Sequence, residues 1–206
     1  GKVFGATRFG TLSDLASRFA LRAYGIEPER DITMVQTGGP AETVTAMAAG
    51  KVHAAAITPP ATLQARKVKL KELLEMSKLD AGYHINGVVT TRGFLKTNED
   101  VVRRFLRAYI EGAARAQKDK NFALKAMAKY FRTDDREILE ESYNAVVKSH
   151  FAIPPYPSIS GIASLLQGLE KQNPKAKGAK PEDFSDSRLV RELDQSGFIK
   201  SVLSER

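Results

Sequence analysis

The 206-residue chain contains no cysteine. Disulfides, thiolate nucleophiles and cysteine metal sites are therefore excluded, and cysteine usage assigns no redox compartment. Histidine is scarce as well. His53, His84 and His150 are scattered, without an HxxxH or HExxH neighbour, so no metal site is expected and each reads as a partly exposed structural residue. No apolar run approaches the roughly 20 residues that cross a bilayer. A GxSxG elbow is missing, and Ser13-Asp14 has no histidine nearby in sequence. The acid pairs Glu140-Glu141 and Glu182-Asp183 fall in helix or loop contexts and read as solvated faces. No catalytic residue, metal or cofactor is implied.

Hydrophobic residues at 42% and charged residues at 27% are ordinary globular values. The length allows one large domain or two small ones with an ample core. A net charge of +8 raises the question of nucleic acid. Residues 1–60 carry six basic against five acidic side chains, which leaves +7 for the rest. That excess is interleaved with acids along amphipathic helices and lacks aromatic platforms, so it reads as solvated helix faces. No nucleic-acid partner is expected.

The first sixty residues are the most informative. Lys2–Ala6 reads as a strand, Thr7–Thr11 as a turn and Leu12–Tyr24 as an amphipathic helix. Ile32–Gln36 repeats the strand, Thr37–Pro40 the turn and Ala41–Ala49 the helix; a third strand, His53–Ile57, stops at Thr58-Pro59-Pro60. Such a βαβαβ unit is parallel, and its turns open on the carboxyl edge, where backbone N–H groups and positive helix ends converge. A small anionic ligand suits that edge.

Gly5-Ala6-Thr7-Arg8-Phe9-Gly10-Thr11-Leu12 has the glycine spacing of a phosphate loop. Thr11 stands where that loop needs its lysine and Leu12 where it needs its magnesium-binding hydroxyl, so nucleotide hydrolysis is not expected. What survives is a turn of backbone donors with hydroxyls on Thr11 and Ser13 and a fixed charge on Arg8. The same residues serve plain helix capping, with Arg8 facing water. Thr37-Gly38-Gly39-Pro40 is a second such turn. Its glycines permit close backbone approach and Pro40 suits the first helical position.

After the prolines a short helix is expected over Ala61–Arg66, a strand over Leu70–Met76 and another over Ile85–Thr91. The period then changes to 3.6. Val101, Val102, Phe105, Leu106, Tyr109, Ile110 and Ala113 share one helical face, and Thr97 with Asp100 resembles a capping box before it. Further helices are expected over Asn121–Phe131, from Thr133 through Val146, after a Ser158 cap, and over Ser187–Gln195 with Gly197 as the terminating residue. The lysine-rich stretch Asn173–Pro181 reads as an exposed loop.

Several stretches together resemble one receptor group. Gly1-Lys2 through Thr11, the Gly38-Gly39 turn, and Ala49-Gly50-Lys51-Val52-His53-Ala54-Ala55 ending in Thr58-Pro59-Pro60 carry the likeness. Val88 through Leu95, Val101 to Ala108, and Glu192-Leu193 to Phe198-Ile199 extend it along the chain. The sequence resembles the periplasmic substrate-binding proteins of ABC importers for nitrate, sulfonate and taurine, a group that includes thiamine-pyrimidine precursor proteins. The resemblance implies an α/β, periplasmic-binding-protein-like fold of two three-layer α/β/α lobes with the ligand between them. Residues 1–59 would be the second lobe, and 60–206 the crossover and helix-rich remainder of the first lobe. The amino-terminal strands of that first lobe would be missing, and with them any lipid anchor. Arg8, Phe9, Gly10, Thr11 and Ser13 would line one wall, joined by Gly38, Gly39, Thr58 and Pro59. Asn86 and Gly87 would face them. The partners implied are a small anionic solute and an importer permease at the cell envelope, with no membrane span in the chain.

Two other readings share this plan. One is an enzyme of pyrimidine-precursor synthesis, weakened because relatives with that activity carry a cysteine-rich motif. The other is the effector-sensing domain of a transcription regulator.

Overall fold

The computed structural model describes residues 1–76, 87–148, 151–170 and 173–204. The chain packs as two compact units, Gly1–Gly82 with Gly168–Gln172, and Tyr83–Gln167 with Asn173–Arg206.

In the first unit, β1 (Lys2–Ala6), α1 (Leu12–Ala23), β2 (Ile32–Gln36), α2 (Pro40–Ala48), β3 (Ala54–Ala55) and α3 (Ala61–Lys67) follow in order. The sheet is parallel with order β2-β1-β3; Lys2 pairs with Ile32 through Ala6 with Gln36, and Phe4 with Ala54. From β1 the chain moves one way to β2, then back across β1 to β3. Right-handed crossovers in opposite directions put α1 on one face of the sheet and α2 on the other. Val44 of α2 packs on Ala61 and Ala65 of α3, with Met47, Ile57 and Leu70 around them, so α3 shares the face of α2. The strand order therefore reverses between β1 and β3, the place where open α/β sheets hold ligands. Pro40 occupies the first turn of α2, as its fixed φ allows. The third strand is shorter than its sequence implies. His53 instead caps the edge: its N–H donates to the Val3 carbonyl, and its Nδ1 accepts from the Val3 N–H.

Central β1 leaves little room beneath its neighbours. A Cβ at Gly5 would lie 3.0 Å from Val52 Cγ1 and 3.3 Å from Thr37 Cγ2.

The second unit is helical: α4 (Arg92–Thr97), α5 (Glu99–Lys118), α6 (Lys120–Phe131), α7 (Arg136–Ser142) running into a π turn (Tyr143–Val147), α8 (Ile159–Leu169), α9 (Arg188–Gln195) and α10 (Phe198–Ser204). Its main core joins Leu106 and Ile110 of α5 to Leu189, Val190, Leu193 and Ile199. A smaller cluster holds Ala123, Tyr143 and Val147. Arg103 ties α5 to α9, reaching Glu99 and Glu192 at 3.0 Å each. Asp135 caps α7 through the Glu137 and Ile138 N–H groups, and Ser158 caps α8 through Gly161. Gly197 ends α9 with φ at +78°.

Several expectations are corrected. Leu70–Glu75 and Gly87–Thr91 have no regular secondary structure; Ile85 and Asn86 lie outside the described residues. Thr97 is no capping residue. It ends α4, where its hydroxyl donates to the Gly93 carbonyl, and Asn98 alone separates α4 from α5. The third helix of this half starts at Arg136, because Asp135 rather than Thr133 holds its free N–H groups. Val101 and Phe105 are exposed, since the core takes only the Val102, Leu106, Tyr109 and Ile110 side of α5. Glu140 is not simply solvated; it pairs with Lys120 and Arg136.

Gly5→Val forces three extra carbons against Val52 and Thr37. It should destabilise the chain by about 1–3 kcal/mol, the usual range for overpacking, read as a lower urea midpoint at unchanged m-value.

Candidate functional site

The carboxyl edge of the first unit's sheet gathers three turns, one from each strand. Parallel pairing runs past the strand ends: Thr37 N–H and Thr37 Oγ1 both donate to the Ala6 carbonyl, at 2.8 and 3.0 Å, and Gly38 N–H donates to Thr7 at 3.0 Å. The first two turns therefore lie side by side. The third, Thr58–Pro60, leaves β3 on the opposite flank of β1, at the point of order reversal.

The first turn is organised by its own polar groups. Thr7 N–H donates to Ser13 Oγ at 2.9 Å, and the hydroxyls of Thr7, Thr11 and Ser13 lie within 2.8–3.2 Å of one another. Thr11 Oγ1 donates to the Arg8 carbonyl at 2.7 Å. Phe9 N–H donates to Gln36 Oε1, and Gly10 N–H to Asp14 Oδ2. Gly10 has φ +79°, a left-handed geometry that favours glycine and turns its N–H back toward α1. Thr11 is the N-cap of α1, yet its side chain makes no cap hydrogen bond to that helix. The first N–H groups of α1 thus lack a side-chain cap.

Arg8 is exposed in the turn that precedes this helix, and its guanidinium makes no ion pair or hydrogen bond with the described residues. Phe9 is about half exposed, at 48%. The second turn differs in charge. Gly39 caps α2 with its backbone alone, and the Glu42 carboxylate folds so close that a Cβ on Gly39 would meet its oxygen. Both helix ends carry a first-turn carboxylate, but Asp14 of α1 is paired with Arg18 at 2.7 Å, whereas Glu42 makes no ion pair among the described residues. Thr37 Oγ1 and buried Thr43 Oγ1 lie 2.5 Å apart, and Thr43 donates to the Gly39 carbonyl.

The residues singled out from the sequence therefore fall into groups. Arg8, Phe9, Gly10, Thr11, Gly38, Gly39, Thr58 and Pro59 belong to the three turns on one sheet edge of the first unit, and Ser13 to the first turn of α1. Gly87 belongs to the second unit and is exposed; Asn86 lies outside the described residues. Sequence reasoning missed Asp14, Arg18, Gln36 and Thr43. Arg18 Nε donates to Asp14 Oδ1 at 2.7 Å, Nη1 reaches Glu29 at 2.8 Å, and the guanidinium lies 5.9 Å from the Phe9 ring. Burial works against the Arg18 charge, but hydrogen bonds to Glu29 and Asp14 outweigh it and hold the group above its ordinary value. The i, i+4 spacing of Asp14 and Arg18 was the available signal.

Residues 1–123 match the family model described as NMT1/THI5 like. The chain belongs to the NMT1/THI5-like family. It lies within the nitrate, sulfonate and taurine-binding group of ABC substrate-binding proteins. The small parallel sheet and many helices are those of a periplasmic-binding-protein-like α/β fold. At family level the role is solute binding for ABC importers, in proteins that work outside the cytoplasm. Most members are non-enzymatic binding proteins, although THI5 itself is a synthase. No curated protein and no solved structure matches the chain. Among the described residues no helix is long and apolar enough to cross a membrane, and no group of three His, Asp or Glu side chains could hold a metal ion.

Ser13→Ala leaves the part-buried Thr7 N–H without its acceptor. A loss of about 1–3 kcal/mol is expected for an orphaned donor, read from urea melts. Ser13→Thr, which keeps the oxygen, should recover most of it.

Proposed function

We propose that this protein is the solute receptor of an ABC importer and that it takes a small organic anion at the first turn of the sheet edge. One observation supports this most: the exposed Arg8 side chain, unpaired among the described residues, lies on the turn that leads into α1, whose N-cap residue makes no side-chain cap. A charge-assisted contact from Arg8 together with the α1 dipole suits a sulfonate, nitrate or carboxylate head. Thr11, Ser13, Gly38, Gly39, Thr58 and Pro59 would complete this wall. By family likeness, Asn86 and Gly87 would come from the opposing lobe, with residues 1–59 and 60–206 as the two lobe portions. Ligand held by both lobes would favour a closed form through its differential affinity, and the permease would read that form at the periplasmic face of the membrane. The chain's own residues would bind and release the solute unchanged.

A thermal-shift panel on the full-length protein tests the reading, with alkanesulfonates, taurine, nitrate, bicarbonate, aromatic carboxylates and aminopyrimidines. A solute at 100 times its Kd should add about 2.7 kcal/mol. A rise confined to aminopyrimidines would favour pyrimidine-precursor chemistry, and no rise at all would favour an effector-sensing role. For the solute that binds, Arg8→Ala should weaken affinity by at least about 1.5 kcal/mol, roughly tenfold. An unchanged Kd by titration calorimetry would remove Arg8 from the site.

A further inference from the structure

Two N–H groups of the first turn are already engaged within the protein. Phe9 N–H is held by Gln36 Oε1 at 2.9 Å, and Gly10 N–H by Asp14 Oδ2 at 2.8 Å. Neither acceptor is a neighbour by accident of the turn. Gln36 comes from the end of β2, and Asp14 from the first turn of α1. Asp14 is fully buried, and its second oxygen accepts from Arg18, which is itself only 4% exposed. Arg18 then extends to Glu29 in the loop before β2, a non-glycine residue at φ +72°, and its guanidinium stands by the Phe9 ring.

We propose that Asp14, Arg18 and Gln36 are positioning residues that lock the Phe9–Gly10 backbone, so that Arg8 and the end of α1 face the solute in a fixed geometry. The reading rests on the first turn being the ligand wall. Buried charge pairs are weak sources of net stability, because desolvation offsets much of their attraction. Their value here is geometric: a carboxylate fixed on one side by Arg18 presents its other oxygen to Gly10 in a single orientation. The engaged N–H groups are therefore not solute contacts, and the donors left to the solute are Arg8 and the first N–H groups of α1. Preorganised donors bind more tightly than donors that must first be ordered.

Amide hydrogen exchange by NMR on the full-length protein tests the lock without any ligand. In Gln36→Met the Phe9 amide should exchange at least tenfold faster, while the β1 and β2 strand amides keep their protection. Gln36→Glu, which retains an acceptor oxygen, should restore it. In Arg18→Met the Gly10 amide should lose protection beyond any change in the strands. Turn amides that keep their protection, or lose it only in step with the strand amides, would overturn the proposal. With methanesulfonate as the probe, Gln36→Met should weaken binding at least fivefold and Gln36→Glu should recover it. A loosened turn with undiminished methanesulfonate affinity would also overturn the positioning role. Wild-type protein that ignores methanesulfonate counts against a sulfonate solute, while the exchange comparison still decides the lock.

Discussion

The Ala6 carbonyl is the point from which the candidate site hangs. It is the last residue of the central strand, fully buried, and it accepts from both the N–H and the hydroxyl of Thr37. One residue further on, Thr7 accepts from Gly38. The ladder between β1 and β2 thus continues into the turns and fixes two loops against each other before any side chain is considered. Gly5 makes that closeness possible, since the space over it is filled by Val52 and Thr37. Sheet packing and the candidate site therefore share the same few residues, and a change that pries the strands apart reaches the turns directly.

The basic excess has a structural disposition that separates Arg8 from most other arginines of the described residues. Arg103 and Arg188 link helices of the second unit to Glu99, Glu192 and Asp186. Arg107 and Arg115 lie 4.1 Å from the rings of Phe198 and Phe122. Arg18 is buried between two carboxylates. Exposed pairs of this kind add little stability individually, but they occupy the guanidinium groups. A cation with neither a carboxylate nor a ring beside it, at the mouth of a parallel sheet, has its donors open to an incoming anion.

Much of the first unit was legible because two signals coincide in its first two repeats: a short apolar strand of the right length, followed by a glycine-bearing turn and a helical stretch. Where one signal stood alone, it misled. Val88-Val89-Thr90-Thr91 has strand propensity, yet propensity becomes a strand only with a ladder partner, and none exists among the described residues. Seven apolar residues on α5 gave a stripe wider than the core beneath it, so Val101 and Phe105 were left outside. Thr97 and Asp100 have capping-box spacing, but the pattern reads the same when the threonine ends one helix as when it opens the next. The turn itself was found by its glycines and hydroxyls. Its locking partners were not, because Gln36 is 27 residues from Phe9 in sequence and nothing local marks it.

That contrast explains why a motif can locate a binding edge without saying which atoms face the ligand. A glycine-bearing turn offers a set of N–H groups, and sequence alone counts them all as available. Here Phe9 and Gly10 donate inward, Thr7 donates to Ser13, and Thr11 N–H turns to the Arg8 carbonyl at 3.3 Å. A phosphate loop leaves such donors open and adds a lysine; this turn satisfies them internally and carries an arginine in place of that lysine's charge. The difference leaves this turn with few outward-facing N–H donors. Replacing the buried Asp14–Arg18 pair by apolar side chains would remove the acceptor that keeps Gly10 in place even where it raised stability.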